Sequence, residues 1–139
     1  MIFDKTGTLT SGRLGVARLA PADGVRPSDL LATAASAERF SNHPAAKAIL
    51  RLAQESGIAP AEPVDVHEEH GRGVRARVGE DPVLCGRAGW LREAGLADAA
   101  LDRDEAAGGE GLSAIYAARA GDYLGWIGLR DEVRPEAAG

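Results

Sequence analysis

The apolar residues of this chain follow two different patterns. Some are spaced as on one face of a helix, and others are spaced as in β-strands. Two short segments carry apolar residues at intervals of three and four, the spacing of one helix face. Pro27 and Pro44 stand at the first helical positions, where their missing N–H is tolerated. The first helix is predicted to run to about Arg39, and Gly57 ends the second as a C-cap. Because only a short break at 41–42 separates them, the two helices are predicted to form a hairpin.

Six short segments have the alternating or continuously apolar pattern of β-strands. They are residues 13–19, 64–69, 73–78, 83–86, 112–118 and 123–129. Turn residues at 79–82 and 120–122 predict two hairpins, and short helices are predicted at 87–94 and 99–107. The pattern therefore predicts an α+β fold, in which an antiparallel sheet of about six strands is flanked by the helical hairpin and the short helices.

Composition and charge limit the class of protein. At 139 residues, with 45% hydrophobic and 27% charged residues, the chain is typical of one globular domain. A net charge of −5 argues against a nucleic-acid-binding surface, which would be basic. The single cysteine, Cys85, excludes an intrachain disulfide and a cysteine metal cage. Since no apolar run approaches the roughly 18 residues that cross a bilayer, and residues 1–10 lack a signal-peptide pattern, we expect a domain that does not itself span a membrane.

The most informative segment for chemistry is Asp-Lys-Thr-Gly-Thr-Leu-Thr at residues 4–10. Asp4 follows a short apolar stretch, and a carboxylate at the end of a strand can attack phosphorus to form an acyl phosphate. Lys5 could supply a cation to the transferred phosphoryl group, and Thr6 and Gly7 could supply hydrogen-bond donors. The alternative is that Asp4 is a solvated residue in a surface turn. This explanation is poor, because the seven-residue segment is highly specific.

This segment resembles the phosphorylation motif of P-type ATPases, within the haloacid-dehalogenase-like superfamily. Four further segments resemble the heavy-metal-transporting class, in the same order along the chain. They are Ser-Asn-His-Pro at 41–44, Gly-Arg-Gly-Val at 71–74, Val-Leu-Cys-Gly at 83–86 with Trp-Leu at 90–91, and Asp-Glu-Val-Arg-Pro at 131–135. The phosphorylation motif is highly specific and the His-Pro segment moderately so, whereas Gly-x-Gly alone is weak. The resemblance covers nearly the whole chain.

The resemblance implies a nucleotide-binding domain, residues 12–130, inserted into a phosphorylation domain of which 1–11 and 131–139 are stubs. In the intact pump this domain would present ATP for phosphorylation of Asp4, and the aspartyl phosphate would drive metal transport across a membrane. Lys5 and Thr6 would be further catalytic residues, and Mg²⁺ would be held through Asp4 and Thr6. The partners would be ATP and the phosphorylation, actuator and membrane domains of the pump, on the cytoplasmic side of a membrane, by expectation a bacterial plasma membrane.

Two residues near the interhelical turn are candidates for binding the base. An imidazole at a helix N-terminus, as at His43, can stack on or hydrogen-bond to adenine, although it can also cap the helix. Glu38 is expected on the last turn of the first helix, where a negative charge opposes the helix dipole. Its carboxylate could accept a hydrogen bond from the adenine amino group, as the family's matching glutamate does, or it could be a solvated charge. The resemblance assigns both residues to ATP binding.

Glycines form the second part of the expected ATP site. Gly71 and Gly73 lack a Cβ, so a ligand can approach their backbone closely, although a β-bulge or the start of a strand would also explain them. The resemblance assigns both to ATP binding, together with Val74 through apolar contact and Gly86 as part of the site wall. The family often has an asparagine after this last glycine, where the chain has Arg87. The role of Arg87 stays open, with direct contact to the triphosphate as one option.

Competing functions are weaker. A haloacid-dehalogenase-type phosphatase usually has an acid/base aspartate two positions after the nucleophile, and this chain has Thr6 there. The superfamily's later magnesium-binding segment and distal lysine are absent, so the chain alone is expected to bind nucleotide with little or no turnover. A metal site at 67–70 is disfavoured because His67 and His70 would point to opposite faces of a strand. Zinc, cadmium, cobalt, copper and silver all stay open as transported ions, since the membrane segments of the pump would select the ion.

Overall fold

The computed structural model describes residues 13–69, 71–96, 98–107 and 113–132. The strands are β1 (Arg13–Pro21), β2 (Val64–Glu69), β3 (Gly73–Val78), β4 (Asp81–Gly86), β5 (Ser113–Arg119) and β6 (Asp122–Glu132). The helices are α1 (Pro27–Ala37), α2 (Pro44–Glu55), α3 (Ala88–Glu93) and α4 (Ala99–Ala107). None of these helices is long and apolar enough to cross a bilayer. The predicted α+β class, with helices flanking a six-stranded antiparallel sheet, is confirmed.

The sheet has the strand order β1-β6-β5-β4-β3-β2, with every neighbouring pair antiparallel. Strands β2 to β6 lie in chain order, with short connections except between β4 and β5, where α3 and α4 intervene. β1 is the exception, because it pairs with the last strand and places Arg13 opposite Glu132. The first and last described residues are therefore neighbours at one edge of the sheet.

The helical hairpin covers one face of the sheet. The apolar stripes of α1 and α2 are buried, and Leu30 and Ile49 are fully so. They pack on Val83, Ala117 and Ile127 of the central strands. Since much of the hairpin stripe is alanine, the helices can lie close to the sheet, and this half of the core contains no buried aromatic side chain among the described residues.

The opposite face carries α3 and α4. In β5, Tyr116 points away from the hairpin whereas its neighbour Ala117 points toward it, as the two-residue period of a strand requires. Tyr116 packs with Trp126, Trp90 and other large side chains beneath the short helices. The central strands β4, β5 and β6 are thus covered on both faces, by two cores of different composition.

The structure corrects some predicted boundaries. α1 ends at Ala37 rather than near Arg39, because the chain tightens there into a turn in which the Arg39 N–H bonds to the Ser36 carbonyl. Glu38 is therefore the C-cap residue and not part of the last helical turn. The other boundary changes are small, the largest being that β6 continues to Glu132 instead of ending at 129.

Candidate functional site

A cavity of about 250 Å³ opens between the hairpin and the end of the sheet where β3 begins and β4 ends. Its walls include all six described candidates for ATP binding. They are Glu38, His43, Gly71, Gly73, Val74 and Gly86. The volume lies just below the roughly 300–1,000 Å³ of typical small-molecule pockets, so the cavity can enclose part of such a ligand. Residues separated by up to 48 positions in the sequence, from Glu38 to Gly86, are thereby brought to one place.

Glu38 is almost entirely buried at the wall of this cavity, with 5% of its surface exposed. Burial, and secondarily the negative charge of Glu68, raise the pKa of the Glu38 carboxyl from 4.5 to about 7. No ion pair among the described residues includes it. The carboxyl is consequently close to half protonated at neutral pH, which gives it both a donor and an acceptor.

His43 is the N-cap of α2, and the Pro44 ring follows at N1. Its Nδ1 atom accepts a hydrogen bond of 3.0 Å from the backbone N–H of Ala45. An accepting Nδ1 cannot carry the proton of the neutral imidazole, so that proton resides on Nε2. His43 therefore caps its helix and still has a second ring nitrogen that can donate.

Ser41 connects the interhelical turn to the sheet. Its hydroxyl accepts from the His43 backbone N–H at 3.2 Å and donates to Oε2 of Glu68 at 3.1 Å. The spacing Ser-x-His-Pro is thus explained locally, because the serine hydroxyl stabilises the turn that precedes the helix capped by His43. The same hydroxyl holds the Glu68 carboxylate at the cavity wall.

Glycine is required by packing at two of the predicted positions. A Cβ on Gly73 would come within 2.6 Å of the Cys85 carbonyl oxygen and the Trp90 ring, and one on Gly86 would lie 2.3 Å from the Arg72 carbonyl oxygen. Gly71 differs, since space around it is open but its φ of +78° strains other residues. The absent side chains at 73 and 86 therefore allow β3 and β4 to meet beneath Trp90.

Two arginines bring positive charge to the cavity wall. Arg72 makes an ion pair with Glu93, so its guanidinium is already held. Arg87 is exposed, precedes α3 and has no ion-pair partner among the described residues. Of the two, Arg87 is the more available to an anionic part of a ligand.

Other candidates are placed as follows. Asp4, Lys5, Thr6, His70 and residues 133–139 lie outside the described residues. Val74 is buried in β3 with its side chain at the cavity wall. Cys85 is fully buried, and burial, with a further contribution from Glu38, raises the pKa of its thiol, so the predicted assignment as a buried small residue is confirmed.

Comparison with known proteins decides the family. A model of the haloacid dehalogenase-like hydrolases matches residues 1–139. The chain belongs to the haloacid dehalogenase-like hydrolase family.

Within this family, the chain is similar to metal-transporting ATPases. The copper-transporting P-type ATPase of Rhizobium leguminosarum bv. viciae is 34% identical over 99% of this chain and 16% of its own length. The crystal structure of a zinc-transporting PIB-type ATPase shares 36% identity at a TM-score of 0.74, over 96% of this chain and 22% of the other. The N-domain of a copper-transporting P-type ATPase, at 22% identity, has the same fold, with a TM-score of 0.71 over 82% of this chain and 97% of the other.

The predicted resemblance is therefore confirmed, since this haloacid dehalogenase-like chain is homologous to heavy-metal P-type ATPases over nearly its whole length. It spans less than a fifth of the length of the curated relatives it matches.

Sequence reasoning missed Glu68 as part of the haloacid dehalogenase-like chain's cavity wall, and it missed the hydrogen bond from Ser41 that reaches Glu68. Glu68 pairs directly with Val74, so the two side chains lie on the same face of the sheet. In the sequence, Glu68 stands in a polar run that is typical of a solvated strand. Glu68 could have been predicted from Val74, because the residue opposite a site residue on the neighbouring strand faces the same cavity.

Proposed function

We propose that this chain is the nucleotide-binding domain of a heavy-metal-translocating P-type ATPase and that the cavity binds the adenine end of ATP. The observation that carries the proposal is the gathering of Glu38, His43 and the residues 71–74 around one cavity of suitable size. The base would lie against Val74 and the apolar wall, with polar contacts from Glu38 and from Nε2 of His43. The phosphates would extend toward Arg87.

In the intact pump, the γ-phosphate of ATP would be transferred to Asp4, and the aspartyl phosphate would drive metal transport. The pairing of Arg13 with Glu132 supports an insertion between residues 1–11 and 131–139, because an inserted domain must receive and return the chain at adjacent points. Mg²⁺ would neutralise phosphate charge and be held through Asp4 and Thr6, which lie outside the described residues. The phosphorylation, actuator and membrane domains would be partners within the same pump, on the cytoplasmic side of the membrane.

The proposal is tested by calorimetric titration of the 139-residue chain with ATP. His43→Gln should weaken binding by about tenfold or more, because a base contact worth about 1–2 kcal/mol is lost with the ring. His67→Gln is the matched control, since His67 is exposed on β2 and does not line the cavity. Asp4→Asn should leave ATP affinity nearly unchanged.

If the wild-type chain and His43→Gln bound ATP with equal affinity, His43 would not be part of the ATP site. Absence of ATP binding in the wild-type chain, with turnover of a generic phosphate ester instead, would favour the phosphatase alternative. Thermal melting of each variant separates lost binding from lost folding, since the substitution at His43 also removes a helix cap.

A further inference from the structure

Glu38 lines the cavity, and no cation among the described residues forms an ion pair with its carboxyl. Glu38 is 5% exposed, lies at the end of α1, and belongs to no ion pair among the described residues. A buried carboxylate of this kind is strongly disfavoured unless it is paired or protonated. The geometry by itself therefore favours the neutral acid.

The charged and titratable groups around the cavity do not reverse this preference. They are Glu68 and Glu69 of β2, His43 of α2, Cys85 of β4, Arg72 before β3 and Arg87 before α3. Burial of the Glu38 carboxyl, and secondarily the negative charge of Glu68, disfavour its ionisation. Together they raise the pKa of Glu38 to about 7. The guanidinium of Arg72 is paired with Glu93. Nδ1 of His43 accepts a hydrogen bond from the Ala45 backbone N–H.

The chemistry of the two protonation states differs in what each can bind. A carboxylate only accepts hydrogen bonds, whereas a carboxylic acid donates from one oxygen and accepts on the other. Adenine presents a donor, its exocyclic amine, beside an acceptor, ring nitrogen N1. Guanine presents two adjacent donors, N1–H and its exocyclic amine. The acid thus matches the adenine edge with two hydrogen bonds, while the carboxylate matches guanine and directs a lone pair at adenine N1.

We propose that Glu38 binds the base as a neutral carboxylic acid, donating to adenine N1 and accepting from the adenine amine, so that ATP binding above neutral pH takes up one proton from solution. Glu68 is a positioning residue that acts through Glu38 by keeping negative charge opposite it. Ser41 holds Glu68 there through its 3.1 Å hydrogen bond. This inference rests on the proposed adenine site and specifies how that site selects its base.

The decisive variant is Glu38→Gln, because an amide presents the same donor and acceptor as the neutral acid but does not titrate. Wild-type affinity for ATP should fall by about tenfold between pH 6 and pH 8, as the protonated fraction falls through a pKa of about 7. Glu38→Gln should lack this additional loss and bind ATP more tightly than the wild type at pH 8. Glu38→Ala should bind weakly at both pH values.

Proton uptake can be counted without relying on any variant's folding. Calorimetric titrations of the wild-type chain with ATP at pH 8, in buffers of different ionisation enthalpy, should give an uptake approaching one proton per ATP. Titration with adenosine, which carries no phosphate, separates this proton from those of the triphosphate. The preference for ATP over GTP should also shrink between pH 6 and pH 8.

Glu68→Gln tests the positioning role. Removal of the like charge should move the midpoint of the affinity loss to lower pH, a shift that a merely structural role for Glu68 would not produce. Wild-type binding with no proton uptake, together with weak binding by Glu38→Gln at every pH, would overturn this inference while leaving the adenine site in place. No ATP binding by the wild type at any pH would instead refute the site itself.

Discussion

The two faces of the sheet solve the burial of polar groups in opposite ways. Under α3 and α4, the core is aromatic, and the hydroxyl of the buried Tyr123 has a partner, since it donates to Asp104 at 2.7 Å. Under the hairpin, the core is built from alanine and aliphatic residues, and Glu38 is buried without an ion-pair partner in the described part of the chain. Both faces bury apolar side chains, but only the hairpin face combines its apolar core with a buried carboxyl that has no ion-pair partner among the described residues.

A large side chain of the aromatic face should contribute strongly to stability and have little influence on binding. Trp126 is 6% exposed, and Trp126→Ala should lower the free energy of unfolding by about 3–5 kcal/mol through the cavity it leaves. Urea unfolding measures this loss. ATP affinity, determined where the variant is folded, should change by less than twofold or so. A large loss of affinity in the folded variant would mean that the two faces are coupled.

The buried Glu38 carboxyl on the hairpin face should make the free energy of unfolding depend on pH. Below about pH 4.5 the Glu38 carboxyl is neutral in both the folded and the unfolded chain, and above about pH 7 it is ionised in both. Between these values the folded state binds the proton more tightly, so the free energy of unfolding should decrease as pH rises, by at most about 3 kcal/mol. Glu38→Gln should abolish this component in urea unfolding measured from pH 4 to pH 8. An unchanged slope in the variant would contradict the assignment to Glu38.

Glycine substitutions distinguish the cavity wall from the opposite helices. Gly86→Ala should lower stability by about 1–3 kcal/mol, because its Cβ would lie 2.3 Å from a backbone oxygen. It should also weaken ATP binding by displacing the wall. Gly89→Ala in α3 is the matched control, since its Cβ meets open space, and it should raise stability by about 0.5–1 kcal/mol. Melting temperatures rank the two variants, and equal behaviour would show that Gly86 has no special role.

The smallest expected effect concerns Arg87. Arg87→Gln should weaken ATP binding by roughly fivefold, corresponding to about 1 kcal/mol for an exposed charge contact, and leave adenosine binding unchanged. Arg103→Gln, on the exposed side of α4, should change neither. Titrations with both ligands at two salt concentrations check this, since the contribution of an exposed charge decreases with salt. Equal losses for ATP and adenosine would place Arg87 at the base instead of the phosphates.

The sequence determined the elements and the family, for local reasons. Proline at N1, apolar stripes at helical spacing and turn residues act within a few positions, so both hairpin helices and all six strands were predicted with small errors at their ends. The motif at 41–44 predicted His43 correctly as a residue at the start of a helix beside the cavity. Its role in binding ATP stays a prediction, as do those of Glu38, Gly71, Gly73, Val74 and Gly86.

Only the tertiary structure decided the environment of Glu38. From the sequence, a glutamate at a helix end has the same pattern whether it is solvated or buried, and burial depends on how the hairpin lies against the sheet. The register of β2 is a second example, because an irregularity between Val64 and His67, with Asp65 at a φ of +52°, sets which of the following residues faces the cavity. A shift of one residue would turn Glu68 to the other face. Long-range pairing therefore created the two facing carboxyls, since no local pattern specifies which surfaces meet.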